Sequence, residues 1–232
     1  MVKVAIGAGH GGFGVTPGKR TPDGEYEWNF NNKVVKSAIE HLNEYENVEV
    51  LRVDDPSGKT DVPLQERTDK ANAWGADIYI SDHHNANTGS WGDWTGTETY
   101  TYEGNWNEAE KLAKLVQNKV LGAYGLADRG LKKANFHVLR ETTMPAILIE
   151  GGFMDSTIDI KNLRNDQILK NAGKAIAEGV AEYFGLKKKQ TDSIHRLIVD
   201  GKQVIALKED ANLLNEIEKY LGSAKEIKIE RV

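Results

Sequence analysis

Three short apolar runs in this chain each end in a cluster of polar or ionisable residues. Ala5-Ile6 leads into Gly9-His10-Gly11-Gly12, and Ile78-Tyr79-Ile80 into Ser81-Asp82-His83-His84-Asn85. Ala146-Ile147-Leu148-Ile149 leads into Glu150-Gly151-Gly152-Phe153. In α/β sheets, ligands sit beyond the carboxyl ends of parallel strands, where such loops gather. If the three runs are neighbouring parallel strands, then His10, one of His83 and His84, and Glu150 converge. Two imidazoles and a carboxylate make a zinc set whose fourth position stays open for water. The carboxylate ligand need not be Glu150, because Glu25 and Glu27 lie just after the opening loop and either can fold back toward His10. Glu150 is then free to take a proton from a metal-activated water and pass it to a leaving amine. A glutamate closing an apolar strand points to function, since burying an unpaired carboxylate costs several kcal/mol.

Each signal has a plainer reading. A histidine among glycines is commonly a turn residue, an arginine such as Arg129 a solvated charge, and loop tryptophans such as Trp91 and Trp94 a small packing cluster. The glycine-rich opening lacks the lysine of a P-loop, which sets a phosphate cradle aside.

The elements that must position these residues are legible from periodicity. Strands are expected at 2–6, 48–53, 78–80 and 146–149, and helices at 29–42, 64–74 and 108–121. Residues 158–184 read as mostly helix, and 91–94 as a loop rich in Gly, Trp and Asp. The alternating, Thr- and Tyr-rich segment 95–102 suits a half-exposed edge strand. Strands alternating with helices imply an α/β fold: a mixed, mostly parallel twisted sheet covered by helices on both faces.

Composition narrows the function further. The chain has 232 residues, 39% hydrophobic and 28% charged, enough to bury a core, with a net charge of -5. No basic excess recommends a nucleic acid partner. There are no cysteines, so disulfides, thiolate metal sites and cysteine nucleophiles are excluded, and any metal must be held by His, Asp, Glu or backbone oxygen. The opening apolar run is too short for a signal peptide and no stretch is long enough to span a bilayer. The expectation is synthesis in the cytoplasm, without membrane insertion.

The ordered motifs resemble the type-3 family of zinc-dependent N-acetylmuramoyl-L-alanine amidases, which includes autolysins, sporulation lysins and phage endolysins. The resemblance runs from about Val2 to Phe184. It rests on Gly9-His10-Gly11-Gly12, a glutamate opening the first helix, Leu64-x-Glu66-Arg67 with Ala71-Asn72, and Ser81-x-His83-x-Asn85-Ala86. Asp128-Arg129-Gly130 and the stretch Met144 to Phe153 complete it. It implies that His10, Glu27 and His83 ligate Zn2+ and that Glu150 is the catalytic glutamate. Glu27 fits the register of the helix start better than Glu25, and His84 stands where a small residue is usual. It also implies hydrolysis of the amide joining N-acetylmuramic acid to L-alanine, with peptidoglycan as partner and action on the wall after release from the cell, through a membrane hole or upon lysis. Arg129, Asn85, Trp91 and Trp94 are candidate substrate contacts. A zinc peptidase cutting within the stem peptide would use the same chemistry, and a wall-binding module without activity is the reading from another class.

The expected domain organisation is a catalytic domain over 1–186, a polar, basic linker over 187–193, and a small α+β domain over 194–232. The last carries a hairpin signal at Asp200-Gly201, then a helix near 210–221 and a strand near 227–229. It loosely resembles the C-terminal wall-binding domains of some Bacillus and phage endolysins; a dimerisation piece or a structural cap are the other readings.

Overall fold

The alternation of apolar side chains along the first strand decides the layering of the molecule. The computed structural model describes residues 1–189, 195–207 and 210–231. The chain runs through β1 (Val2–Ala8), α1 (Glu27–Leu42), β2 (Val48–Arg52), α2 (Leu64–Trp74), β3 (Ile78–Asn85) and β4 (Thr97–Thr101). It continues through α3 (Asn107–Tyr124), β5 (Asp128–Lys133), α4 (His137–Arg140), β6 (Ala146–Phe153), α5 (Ile160–Leu163) and α6 (Asp166–Phe184). Val4 and Ile6 of β1, Ile78 and Ile80 of β3, and Ile147 and Ile149 of β6 face α1, α3 and α6. The intervening Ala5, Tyr79 and Leu148 face α2 and α4. Period-two alternation thus feeds two apolar layers, one on each side of the sheet. Each fully buried Val, Leu, Ile or Phe in them contributes about 1.5–3 kcal/mol.

The six strands lie in the order β2-β1-β3-β6-β4-β5. β1, β2, β3 and β6 run parallel, while β4 pairs antiparallel with β6 and parallel with β5. This is the mixed, mostly parallel sheet with helices on both faces that the sequence implies.

Several elements depart from expectation. The segment expected at an edge, β4, is an inner strand, and Thr97, Thr99 and Thr101 are buried. The edge is β5, whose sequence DRGLKK is almost wholly exposed and carries no apolar alternation to betray it. α1 begins at Glu27, two residues early, so this glutamate opens the helix. β3 and β6 continue through His83 and Glu150, so these residues are fixed on strands rather than on trailing loops. The expected long final helix is broken before Asp166, where the Asn165 side chain caps the backbone N–H groups of Gln167 and Ile168.

The chain divides into two compact units, Met1–Lys188 and Lys189–Val232. Lys187 and Lys188, expected in the linker, belong to the first. The Lys187 carbonyl accepts from Glu46 N, and Lys188 forms a bridge with Tyr45 and an ion pair with Glu44. Residues 190–193 of the expected linker lie outside the described residues, as do 194, 208, 209 and 232 of the expected small domain. The second unit holds β7 (His195–Val199), β8 (Lys202–Leu207), α7 (Asp210–Glu218) and β9 (Ile227–Arg231). Its antiparallel sheet has the order β8-β7-β9. The hairpin turns at Asp200 and Gly201, with φ of 50 and 77°, the conformation a tight two-residue hairpin requires.

Candidate active site

β1, β3 and β6 are parallel neighbours, so their carboxyl ends open on the same rim of the sheet. There they form a cavity of about 410 Å3 lined by His10, Glu27, His83, Asn85, Leu148 and Glu150, among others. His10 lies two residues past β1, Glu27 is the first residue of α1, and His83 is held within β3.

The Glu27 carboxylate is the hub. Its Oε2 lies 3.1 Å from His10 Nε2 and its Oε1 3.0 Å from His83 Nδ1. One ligand atom from each of these residues lies within 4.8 Å of the others. Tetrahedral zinc with bonds of ~2.0–2.1 Å needs ligand atoms about 3.3–3.5 Å apart; the two Glu27–histidine separations fall slightly below this, so small side-chain shifts accommodate the ion. The donors, two imidazoles and a carboxylate, are those an open zinc site uses. Burial alone would raise the Glu27 pKa, but hydrogen bonds from the two histidines outweigh it and hold the carboxyl well below its ordinary range. Gly9 lets the strands close: a Cβ there would lie 2.2 Å from His83 Cε1. His10 itself has a φ of 63°, a left-handed conformation that costs a non-glycine residue about 1–3 kcal/mol.

Alternation along β3 separates the two adjacent histidines. His83 joins His10 and Glu27. His84 is turned into the core, where Tyr124 Oη donates to its Nε2 over 3.0 Å and its Nδ1 donates to Asn31 Oδ1 over 2.7 Å. Asn31 Nδ2 in turn donates to Glu27 Oε1 and to the Gly9 carbonyl, both at 3.2 Å. His84 is thus a strut beneath the Glu27 carboxylate, and burial pushes its pKa down to about 3. Sequence reasoning left His84 without a role and missed Asn31 and Tyr124. Asn31 stands one helical turn after Glu27, the spacing that brings two side chains together. Glu25 points elsewhere, with its Oε2 2.9 Å from Arg164 Nε.

On the opposite wall, Glu150 pairs in register with His83 on one side and with Glu98 of β4 on the other. Glu150 Oε2 is buried and has no hydrogen-bond partner among the described residues. Burial, then the negative charges of Glu27, Asp82 and Glu98, push its pKa well above the ordinary carboxylate value. Glu98 was missed, because its Thr- and Tyr-rich strand reads from the sequence as a half-exposed edge, on which a glutamate carries no signal. Its Oε2 pairs with Arg129 Nε at 2.9 Å, and its Oε1 accepts from Asn85 Nδ2 and Tyr100 Oη at 2.9 and 2.8 Å.

The four candidate substrate contacts separate accordingly. Asn85 lines the cleft. Arg129 is engaged with Glu98 and lies over the Phe153 ring, outside the cleft lining. Trp94 also lies outside it and donates from Nε1 to Asp155 Oδ1 over 2.7 Å, which ties down its own loop. Trp91 is 40% exposed with the Arg164 guanidinium 5.9 Å from its ring, and it too is absent from the lining. Lys19, Leu64, Phe136 and His137 also line the walls, and none of them was a candidate site residue in the sequence.

Fold and site together define an α/β protein with a candidate three-ligand metal centre and a second glutamate left unbonded beside it. The chain matches the N-acetylmuramoyl-L-alanine amidase family over residues 4–182 and belongs to that family. It is 38% identical over 189 residues to the N-acetylmuramoyl-L-alanine amidase CwlM of Bacillus licheniformis, covering 81% of this chain and 71% of the relative. It is 36% identical over 209 residues to the sporulation-specific N-acetylmuramoyl-L-alanine amidase of Bacillus subtilis, covering 89% and 77%. The catalytic domain of CwlV, an N-acetylmuramoyl-L-alanine amidase from Bacillus (Paenibacillus) polymyxa, superposes with a TM-score of 0.72 at 30% identity, covering 81% of this chain and 100% of that domain.

Proposed function

We propose that this amidase is zinc-dependent and cleaves the amide between the lactyl group of N-acetylmuramic acid and L-alanine in peptidoglycan. In this reading His10, Glu27 and His83 hold the metal and Glu150 moves the proton. The observation that carries it is the pairing of a His-Glu-His cluster with an unbonded carboxylate oxygen across one cleft.

Zinc, when bound, polarises the scissile carbonyl and lowers the pKa of a coordinated water. The chain's own residues supply the rest. Glu27, kept ionised by its two histidines, gives the centre its negative ligand. Glu150 Oε2 accepts a proton from the attacking water and then donates it to the departing nitrogen of L-alanine. Its raised proton affinity favours the first of these transfers, the uptake of the proton from water. Leu148, Val138 and Phe136 line the cleft with apolar surface, which thins the water around the reacting amide. Asn85 contacts the substrate, Arg129 acts through Glu98, and Trp94 acts through its loop. The exposed ring of Trp91 offers a face to a sugar.

The second unit is assigned to the wall, by its expected likeness to small wall-binding domains. No helix among the described residues is long and apolar enough to cross a membrane. Digestion of purified walls tests the cleavage. New amino groups should belong to L-alanine, with glycan strands left bare of peptide. New amines only on other stem residues would replace the amidase reading with a stem peptidase.

A further inference from the structure

His10 adopts a left-handed backbone conformation between two glycines, and its neighbouring peptide groups are pinned from outside the loop. Arg67 of α2 does most of this. It is 2% exposed. Its Nη1 donates to the Ala8 carbonyl at 2.6 Å and its Nη2 to the His10 carbonyl at 3.0 Å, gripping the chain on both sides of Gly9. Nε donates to the Val62 carbonyl at 2.8 Å, and Nη2 also reaches Asp61 Oδ1 at 3.2 Å. Asp61 Oδ2 accepts from Thr16 Oγ1 at 2.5 Å, and Thr16 Oγ1 accepts from Gly11 N at 2.8 Å. The His10 carbonyl and the next N–H are therefore both held by one network spanning Thr16, Asp61 and Arg67.

A buried guanidinium is an expensive way to fill space, since an apolar side chain of similar volume avoids its desolvation. What it offers is a rigid planar fork that reaches two carbonyls at once. Strained backbone persists only where surrounding structure over-determines it, and here that structure converges on a proposed ligand. We propose that Arg67 is a positioning residue that holds the His10 imidazole in the geometry required for metal binding. The proposal rests on the reading of His10, Glu27 and His83 as the metal centre.

Zinc affinity by chelator competition, the d–d spectrum of the cobalt-substituted protein, and the melting temperature of the metal-free protein test this together. Arg67→Lys keeps the charge but not the fork. It should weaken zinc binding ten- to a hundred-fold, the range typical of outer partners of metal ligands, and shift the cobalt bands, in a protein that melts lower without metal but stays folded at the assay temperature. Thr16→Val, which loosens only the Gly11 end, should weaken zinc several-fold. Wild-type zinc affinity in Arg67→Lys overturns the proposal, as does lowered melting with unchanged affinity in the folded fraction. Should Arg67→Lys not fold, wild-type affinity in Thr16→Val overturns it. His10→Ala separates the two readings: retention of one zinc equivalent there removes His10 as a ligand, whatever Arg67 does.

Discussion

The two walls of the cleft each present a glutamate, Glu27 buried and Glu150 half-buried with its Oε2 enclosed, and the two are handled in opposite ways. On the β1–α1–β3 wall, both Glu27 oxygens lie within hydrogen-bond distance of a histidine nitrogen, and the Asn31 amide and His84 N–H add to them. On the β6–β4 wall, Glu150 keeps one oxygen without a partner and stands among other negative groups. The first arrangement stabilises the carboxylate and the second favours the protonated acid. In the proposed reading, one cleft thereby keeps a ligand that stays ionised beside a carboxyl of raised proton affinity, a division set by environment rather than by residue type.

That contrast breaks most completely at its hub. Glu27→Ala should lose the metal and reduce wall lysis to background, with zinc content measured by atomic absorption; a variant keeping one equivalent and its activity would show that Glu27 is no ligand. Glu150→Gln should retain one equivalent of zinc while kcat falls ~10²–10⁴-fold, the usual range for a lost general acid–base group. Turnover near wild type would remove Glu150 from proton transfer.

The support beneath Glu27 is a smaller lever. Tyr124→Phe leaves His84 Nε2 buried without its donor, which should destabilise the fold by about 1–3 kcal/mol in denaturant titrations. No change would mean that His84 finds another partner. pH probes the same strut. His84 titrates at about 3 in the fold against 6.5 ordinarily, so as pH falls below 6.5 the unfolded chain takes up a proton that the fold does not. Its full stabilisation is present above that pH and is lost progressively down to about 3, with a slope of up to ~1.4 kcal/mol per pH unit. His84→Gln should flatten this part of the metal-free stability profile; an unaltered slope would assign it to other groups.

The smallest expected effect lies on the acid–base wall. Glu98→Gln removes a negative neighbour, so the limb of the pH–rate profile governed by Glu150 should move toward lower pH. A limb that stays in place would mean that the Arg129 partner already neutralises Glu98 as Glu150 feels it.

Much of this site is written in local pattern. His10, His83 and Glu150 each follow an apolar run, because parallel strands buried on both faces read as continuous hydrophobic segments and their ends as abrupt polarity. β5 escaped because its residues are exposed and its place is fixed by pairing with β4, not by periodicity. Glu98 escaped for a related reason: its meaning comes from lying opposite Glu150 in a register that joins residues 52 positions apart.

The residue types and their order in the chain determined the cysteine-free donor set, the layering of the sheet, and the three strand ends that meet at the cleft. Spacing left His83 and His84 equivalent, and Glu25 and Glu27 nearly so. Tertiary structure separated them, because alternation along β3 sends one histidine to the rim and its neighbour into the core, and the start of α1 turns Glu27 inward while Arg164 holds Glu25 at the surface. It alone decided which carboxylate has its proton affinity lowered and which has it raised, since proton affinity depends on burial and nearby charge, and both are properties of the assembled site.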